Sequence, residues 1–171
     1  MIISVIGGDD APPEAMRAAE EVGRELAKRG CVLACGGRGG VMEAACRGAR
    51  AAGGHTIGIL PTVDRRGMNP YVEFPIVTGI GYARNAVVVL TGDAVIAIDG
   101  SYGTLSEIAH ALEYHKPVVL LGSWRFSQDG HEQPPVIQAG DPKDAVDKAV
   151  AAAQARDAGE KMPMEISTHG D

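Results

Sequence analysis

The stretch AVIAIDGSYGTLSEIAHALEYHKPVVLL, residues 94–121, reads as a strand, a glycine-containing turn, a helix and a second strand. Ala94–Ile98 is wholly apolar and rich in β-branched residues, and Pro117–Leu121 repeats that pattern. Between them Leu105, Ile108 and Leu112 recur at helical spacing, predicting a helix over Thr104–His115. Strands without polar alternation are buried on both faces, which is the habit of parallel strands joined by helices. One such unit predicts a parallel sheet, and the fold class follows from how often it recurs.

It recurs in both directions. Upstream, Ile2–Ile6 ends at Gly7-Gly8 and is followed by a helix over Pro13–Lys28, with Met16, Ala19, Val22 and Leu26 on one face and Gly30 as its stop. Cys31–Cys35 is a second strand, followed by Gly36–Gly40 and a helix over about Val41–Ala52. Thr56–Leu60 is a third strand, Pro61–Phe74 a loop, Phe74–Thr78 a strand and Tyr82–Leu90 a helix. Downstream come a short strand, Val136–Gln138, and a helix over Lys143–Ala155. The alternation predicts an α/β fold: a single-domain, Rossmann-like doubly wound parallel sheet with helices on both faces, spanning residues 1–158. The polar segment 159–171 is expected to be a flexible tail.

Composition narrows the function. The 171 residues carry 16 Lys+Arg against 22 Asp+Glu, a net charge of −6. That balance predicts neither a nucleic-acid partner nor a membrane surface, both of which call for a basic face. No apolar run reaches the length of a membrane span, and MIISVIGGDD lacks the basic start of a signal peptide. Cys31, Cys35 and Cys46 lack a metal-site spacing and read as reduced, mostly buried thiols, so a cytoplasmic protein is expected. The 23 glycines are the excess to explain.

Three glycine clusters fall at strand carboxyl ends: Gly7-Gly8, Gly36-Gly37-Arg38-Gly39-Gly40 and Gly100-Ser101-Tyr102-Gly103-Thr104. Each precedes a helix, whose first N–H groups and partial positive charge suit an anion. The rim predicts a small phosphorylated ligand. It matches neither the P-loop, which needs a lysine, nor the dinucleotide fingerprint, because Asp9 and Asp10 follow the first strand and would repel a pyrophosphate. Asp9 and Asp10 read first as polar residues at a helix start, and otherwise as acceptors for a ribose or base. Thr104 and Glu107 form the Thr-x-x-Glu pattern of a capping box, and local sequence favours that role. The other reading places Glu107 in the first helical turn as a carboxylate acting beside the phosphate. Arg84 opens a helix, where a cation is unfavourable unless an anion binds nearby; an ordinary surface arginine is the alternative.

At these residues the chain resembles a known family. GGRGGVME (36–43), GHTIGILP (54–61), Arg84-Asn85 and GSYGTLSE (100–107) occur in an order that resembles the Lonely Guy (LOG) superfamily, long labelled as lysine decarboxylases. Within it the chain is most similar to the branch of molybdenum-cofactor carrier-like proteins, over roughly residues 1–155. The resemblance implies hydrolysis of the N-glycosidic bond of a nucleoside 5′-monophosphate, giving a base and ribose 5-phosphate, with Arg84 and Glu107 as the catalytic pair. Gly103 and Thr104 would hold the phosphate. The phosphate- and ligand-binding set expected on this rim is Gly7, Gly8, Gly36, Gly37, Gly39, Gly40, Met42, Asn85, Gly100, Ser101, Tyr102, Gly103 and Thr104. The family's Pro-Gly-Gly is Asp99-Gly100-Ser101 here, its lysine is Asn85 and its methionine is Gly81. Those departures fit the carrier-like branch, so the alternative is a non-catalytic carrier of the molybdenum cofactor, a phosphorylated pterin. A binding module whose ligand acts as a signal is the third reading. The resemblance also implies a homodimer or higher homo-oligomer, with the apolar run Val87–Leu90 as a physical hint.

No metal or cofactor is required by this reading. The five lysines, Lys28, Lys116, Lys143, Lys148 and Lys161, are poorly placed for a Schiff base, which argues against a pyridoxal-phosphate decarboxylase. His110 and His115 are five apart and do not share a helix face, so they predict no metal pair. Tyr82, Tyr102 and Met42 read either as the lining of a base or pterin pocket or as core and rim packing.

Overall fold

A computed structural model describes residues 1–127 and 134–159. In chain order the elements are β1 (Ile2–Gly7), α1 (Pro13–Lys28), β2 (Val32–Cys35), α2 (Gly40–Ala51), β3 (Thr56–Leu60) and β4 (Phe74–Val77). A 3-10 turn, Gly81–Ala83, leads into α3 (Arg84–Thr91), followed by β5 (Ala94–Ile98), α4 (Tyr102–Glu113), β6 (Val118–Leu121), β7 (Val136–Gln138) and α5 (Pro142–Gly159). The strands form one sheet in the order β4-β3-β2-β1-β5-β6-β7, and every pairing is parallel. The expected Rossmann-like doubly wound α/β fold is the observed one. The expected tail, 159–171, lies outside the described residues apart from Gly159, where α5 ends.

Period-two alternation in the strands builds two cores. Ile3 and Val5 of β1 and Ala94, Ile96 and Ile98 of β5 pack against α1, α2 and α5. Ile6 of β1 and Val95 and Ala97 of β5 face α3 and α4. Ser4 is on that second face too, and its buried hydroxyl is satisfied by the Val88 carbonyl of α3, 2.7 Å away. Helices α1 and α2 touch through glycines. A Cβ on Gly23 would lie 2.0 Å from the Ala45 carbonyl oxygen, and one on Gly48 would lie 1.8 Å from that of Glu20. Part of the glycine excess therefore serves backbone contact between helices, far from any ligand.

Two expectations change at the edges of this framework. Phe74–Thr78 is apolar as expected, yet β4 is an edge strand, leaving Phe74, Ile76 and Val77 exposed. The helix expected from Thr104 starts two residues earlier, at Tyr102, with Ser101 at its N-cap. Cys31, Cys35 and Cys46 are free and buried, as the sequence predicts. No helix among the described residues is long and apolar enough to cross a membrane.

Candidate functional site

The strand order reverses between β1 and β5, where an open α/β sheet leaves a crevice at its carboxyl edge. Gly7 pairs with Ile98, so the turns that follow β1 and β5 emerge side by side. A cleft of about 380 Å³ opens there, at the small end of the range for ligand sites. Its lining includes Gly7, Gly8, Met42, Arg84 and Asn85, and on the α4 side Ser101, Gly103, Thr104 and Glu107. Residues 77 to 100 positions apart in the chain thus share one wall, drawn chiefly from the first and third glycine loops.

The start of α4 has no side-chain cap. Ser101 is extended, at φ −106° and ψ −159°, and its side chain makes no capping hydrogen bond. Its carbonyl accepts the Leu105 N–H at 3.0 Å, leaving the preceding amides of the turn to solvent or a ligand. Gly100 makes the turn possible: its φ is +108°, and a Cβ there would collide with the Thr104 side chain. Asp99 is also left-handed, at φ 50°, with its carbonyl held by the Ser123 hydroxyl at 2.6 Å. Proline cannot adopt that φ, so this turn differs from one built on Pro-Gly-Gly. Asn85 donates through Nδ2 to Ser106 Oγ at 3.0 Å, and Ser106 Oγ donates to the Gly103 carbonyl at 2.7 Å. The pair of bonds ties α3 to the first turn of α4.

The capping box is overturned. Since α4 begins at Tyr102, Thr104 lies inside the first turn and Glu107 one turn deeper than expected. Glu107 is 6% exposed and meets Arg84, 7% exposed, with Arg84 Nη1 3.4 Å from Glu107 Oε1. Burial lifts the Glu107 carboxyl to about 8, against the opposing pull of Arg84. At neutral pH the contact is therefore an arginine beside a mostly protonated carboxyl, although its distance alone suggests an ion pair. Burial also lowers the Arg84 pKa, with Glu107 opposing, and Arg84 Nε has no hydrogen-bond partner. Such a floor is unfinished electrostatically, and an anionic or polar ligand would complete it.

The second glycine loop has a different employment from the first and third. Gly36, Gly37, Gly39 and Gly40 are absent from the cleft lining, as are Gly100 and Tyr102. Gly36 instead seats the Arg84 guanidinium, since a Cβ there would lie 2.5 Å from both terminal nitrogens. Gly40 packs on the carbonyls of Gly8 and Asp9. The N–H of Gly39 donates to Asp9 Oδ1 at 2.7 Å, and Arg38 Nε donates to Asp9 Oδ2 at 3.0 Å. Asp9 is thus no cap for α1, whose N-cap is Pro12 without a side-chain bond.

Sequence reasoning missed Asn69, inside the Pro61–Phe74 loop. It is 4% exposed, its N–H donates to the Gly37 carbonyl at 3.0 Å, and its Nδ2 donates to the Arg38 carbonyl at 2.8 Å. An asparagine between proline and glycine is an ordinary turn signal, so nothing local distinguished it. Arg38, Pro61, Gly81 and Tyr82 also line the cleft. Tyr82 and Tyr102 are 86% and 82% exposed, which places both on the surface and rules out core packing.

Comparison with known proteins follows the same lines. The model of the SLOG cluster4 family matches residues 1–146. The chain is 33% identical over 120 residues to the cytokinin riboside 5′-monophosphate phosphoribohydrolase of Mycobacterium tuberculosis, covering 65% of this chain and 64% of that protein. It spans 46% to 65% of the length of such curated phosphoribohydrolases. Two solved structures share 37% identity and a TM-score of 0.79 with it. One is the molybdenum cofactor binding protein of Rippkaea orientalis, with 88% of this chain and 95% of that one covered. The other is the molybdenum cofactor carrier protein of Chlamydomonas reinhardtii, with 91% and 99% covered.

Proposed function

The chain belongs to the SLOG cluster4 family, and from that footing we propose that its cleft binds a small phosphorylated, nucleotide-like ligand and hydrolyses the N-glycosidic bond of a nucleoside 5′-monophosphate. The observation that carries this reading is the buried Arg84–Glu107 pair, set beside a helix start whose side-chain cap is missing. In this reading the amides at the start of α4 hold the 5′-phosphate, and Arg84 supplies a cation in a water-poor floor.

The protonation state of Glu107 defines its part. Breaking the C1′–N bond leaves electrons on the base and positive charge on the ribose. The proton of Glu107 passes to the departing base nitrogen, and the carboxylate left behind stabilises the ribosyl cation. Water then adds to C1′ and returns its proton to Glu107, giving free base, ribose 5-phosphate and the starting acid. General acid–base help of this kind is worth roughly 10²–10⁴ in rate. The rate should hold below neutrality and fall as pH rises through the Glu107 value of about 8. Incubation with AMP and related monophosphates, with detection of free base, tests the reading. Glu107→Gln should lower base release by about 10² or more while phosphate binding persists. Equal rates would leave Glu107 without a chemical role.

A second reading is favoured by a specific observation: the likeness to the two molybdenum-cofactor proteins runs over nearly the whole chain, and that to the phosphoribohydrolases over about two thirds of it. In it the same rim carries a phosphorylated pterin without turnover. Saturable pterin-cofactor binding, with no base released from any monophosphate, would establish it. We also infer a homo-oligomer, since Phe74, Ile76 and Val77 on β4, and Leu90 on α3, expose apolar surface, and a cytoplasmic location, which the free thiols of Cys31, Cys35 and Cys46 support. A monomer by light scattering at working concentration would refute the oligomer.

A further inference from the structure

Three of the helices that start at the carboxyl edge of the sheet, α1, α2 and α4, follow the glycine clusters, and they differ in whether an anion can reach them. The turn before α1 carries Pro12 and Pro13, of which neither has an N–H to offer. At α2 the places of an anion are taken from within: Asp9 accepts from the Gly39 N–H and from Arg38 Nε, and the Gly8 carbonyl accepts from the Val41 N–H at 3.0 Å. Gly40, at φ +56°, lies against the Gly8 and Asp9 carbonyls and holds the two turns together. Only α4, among the three, begins on the cleft with no side-chain acceptor at its cap.

The cleft therefore has two unlike poles. On the α4 side stand Ser101, Gly103 and Thr104, above the nine-tenths buried Arg84 with its unpartnered Nε. On the α2 side stands the Asp9 carboxylate, half-exposed and itself part of the cleft lining. A second phosphoryl group reaching from α4 toward α2 would find the Gly39 amide and the Arg38 guanidinium already engaged. It would also meet a like charge. We propose that Asp9 is a specificity-determining residue that limits the cleft to ligands carrying a single phosphoryl group. This deepens the reading of the site as a nucleoside-monophosphate site and rests on it for the nucleotide part only.

The test is calorimetric titration of wild type and Asp9→Asn with two matched pairs, AMP against ADP and inorganic phosphate against pyrophosphate, at one ionic strength. Asparagine keeps Oδ1 as an acceptor for the Gly39 N–H, removes the charge, and gives up the Oδ2 that accepts from Arg38 Nε, so the guanidinium is released toward the cleft as well. Wild type should prefer the monophosphate of each pair. In Asp9→Asn each preference should shrink by about tenfold, through tighter diphosphate binding, the size of one like-charge contact in a half-solvated cleft. Unchanged ratios overturn the proposal, as does an equal rise in affinity for both members of each pair. If the inorganic pair responds while AMP does not bind, Asp9 keeps its role and the nucleotide reading falls. If AMP binds and neither ratio moves, the nucleotide reading stands and the role of Asp9 falls.

Discussion

Glu107→Gln replaces a carboxyl by a neutral group of the same shape, and so it mimics the acid form without the ability to ionise. Glu107 titrates at about 8 in the fold against an ordinary 4.5, because burial penalises its charge more than Arg84 rewards it. At about 1.4 kcal/mol per pKa unit the full gap corresponds to about 5 kcal/mol. The sign follows from linkage: a raised carboxyl stabilises the fold fully below 4.5, where both states are protonated, and that contribution is lost as pH rises through 8. Relaxation of the fold around the ionised carboxylate reduces this, so a difference of about 2–4 kcal/mol is expected. Urea unfolding of both proteins at several pH values between about 4.5 and 9 measures it. All other carboxylates are shared, so subtracting the two curves isolates Glu107. The variant should gain on wild type steadily with pH. Parallel curves, agreeing within about 0.5 kcal/mol across the range, would show that Glu107 is ionised in the fold at neutral pH and that its burial has been misjudged.

Three further perturbations separate the parts of the site. Gly36→Ala places a methyl 2.5 Å from the Arg84 guanidinium; ligand affinity or turnover should fall by about tenfold or more, with the fold retained by circular dichroism. Asn69→Ala removes the buried amide that donates to the Arg38 carbonyl, and should cost about 1–3 kcal/mol in denaturant unfolding. Amide exchange in residues 36–40 should accelerate with it. Gly48→Ala drives a Cβ into the Glu20 carbonyl, and should destabilise by about 1–3 kcal/mol while leaving ligand affinity per folded molecule unchanged.

The register of strands and helices was legible because it is written at short range. Ala94–Ile98 and Leu105, Ile108 and Leu112 announce a strand and a helix through neighbours a few positions away; α1, β3, β5 and β7 have the expected bounds, and the other boundaries differ by at most four residues. The exposed β4 was not legible, since its apolar residues look the same in the centre of a sheet as at its edge. Thr104 and Glu107 show the limit more sharply. Their spacing is that of a capping box, yet the left-handed Asp99 and Gly100 start α4 two residues early and carry Glu107 below the helix start. Arg84 and Glu107 were paired through a family resemblance; the local pattern of either residue said nothing of the other.

The sequence by itself determined the alternation of strands and helices, the parallel sheet and the collection of three glycine turns on one rim, all consequences of local periodicity and of where a chain can turn. Tertiary structure alone decided what those turns do. Gly36 seats an arginine that arrives from α3, Gly39 donates to a carboxylate that arrives from β1, and only the α4 turn is left open to an anion. Its decisions extend to the proton on Glu107, because the cost of a buried charge sums over every residue that displaces water from it, and those residues are scattered along the chain.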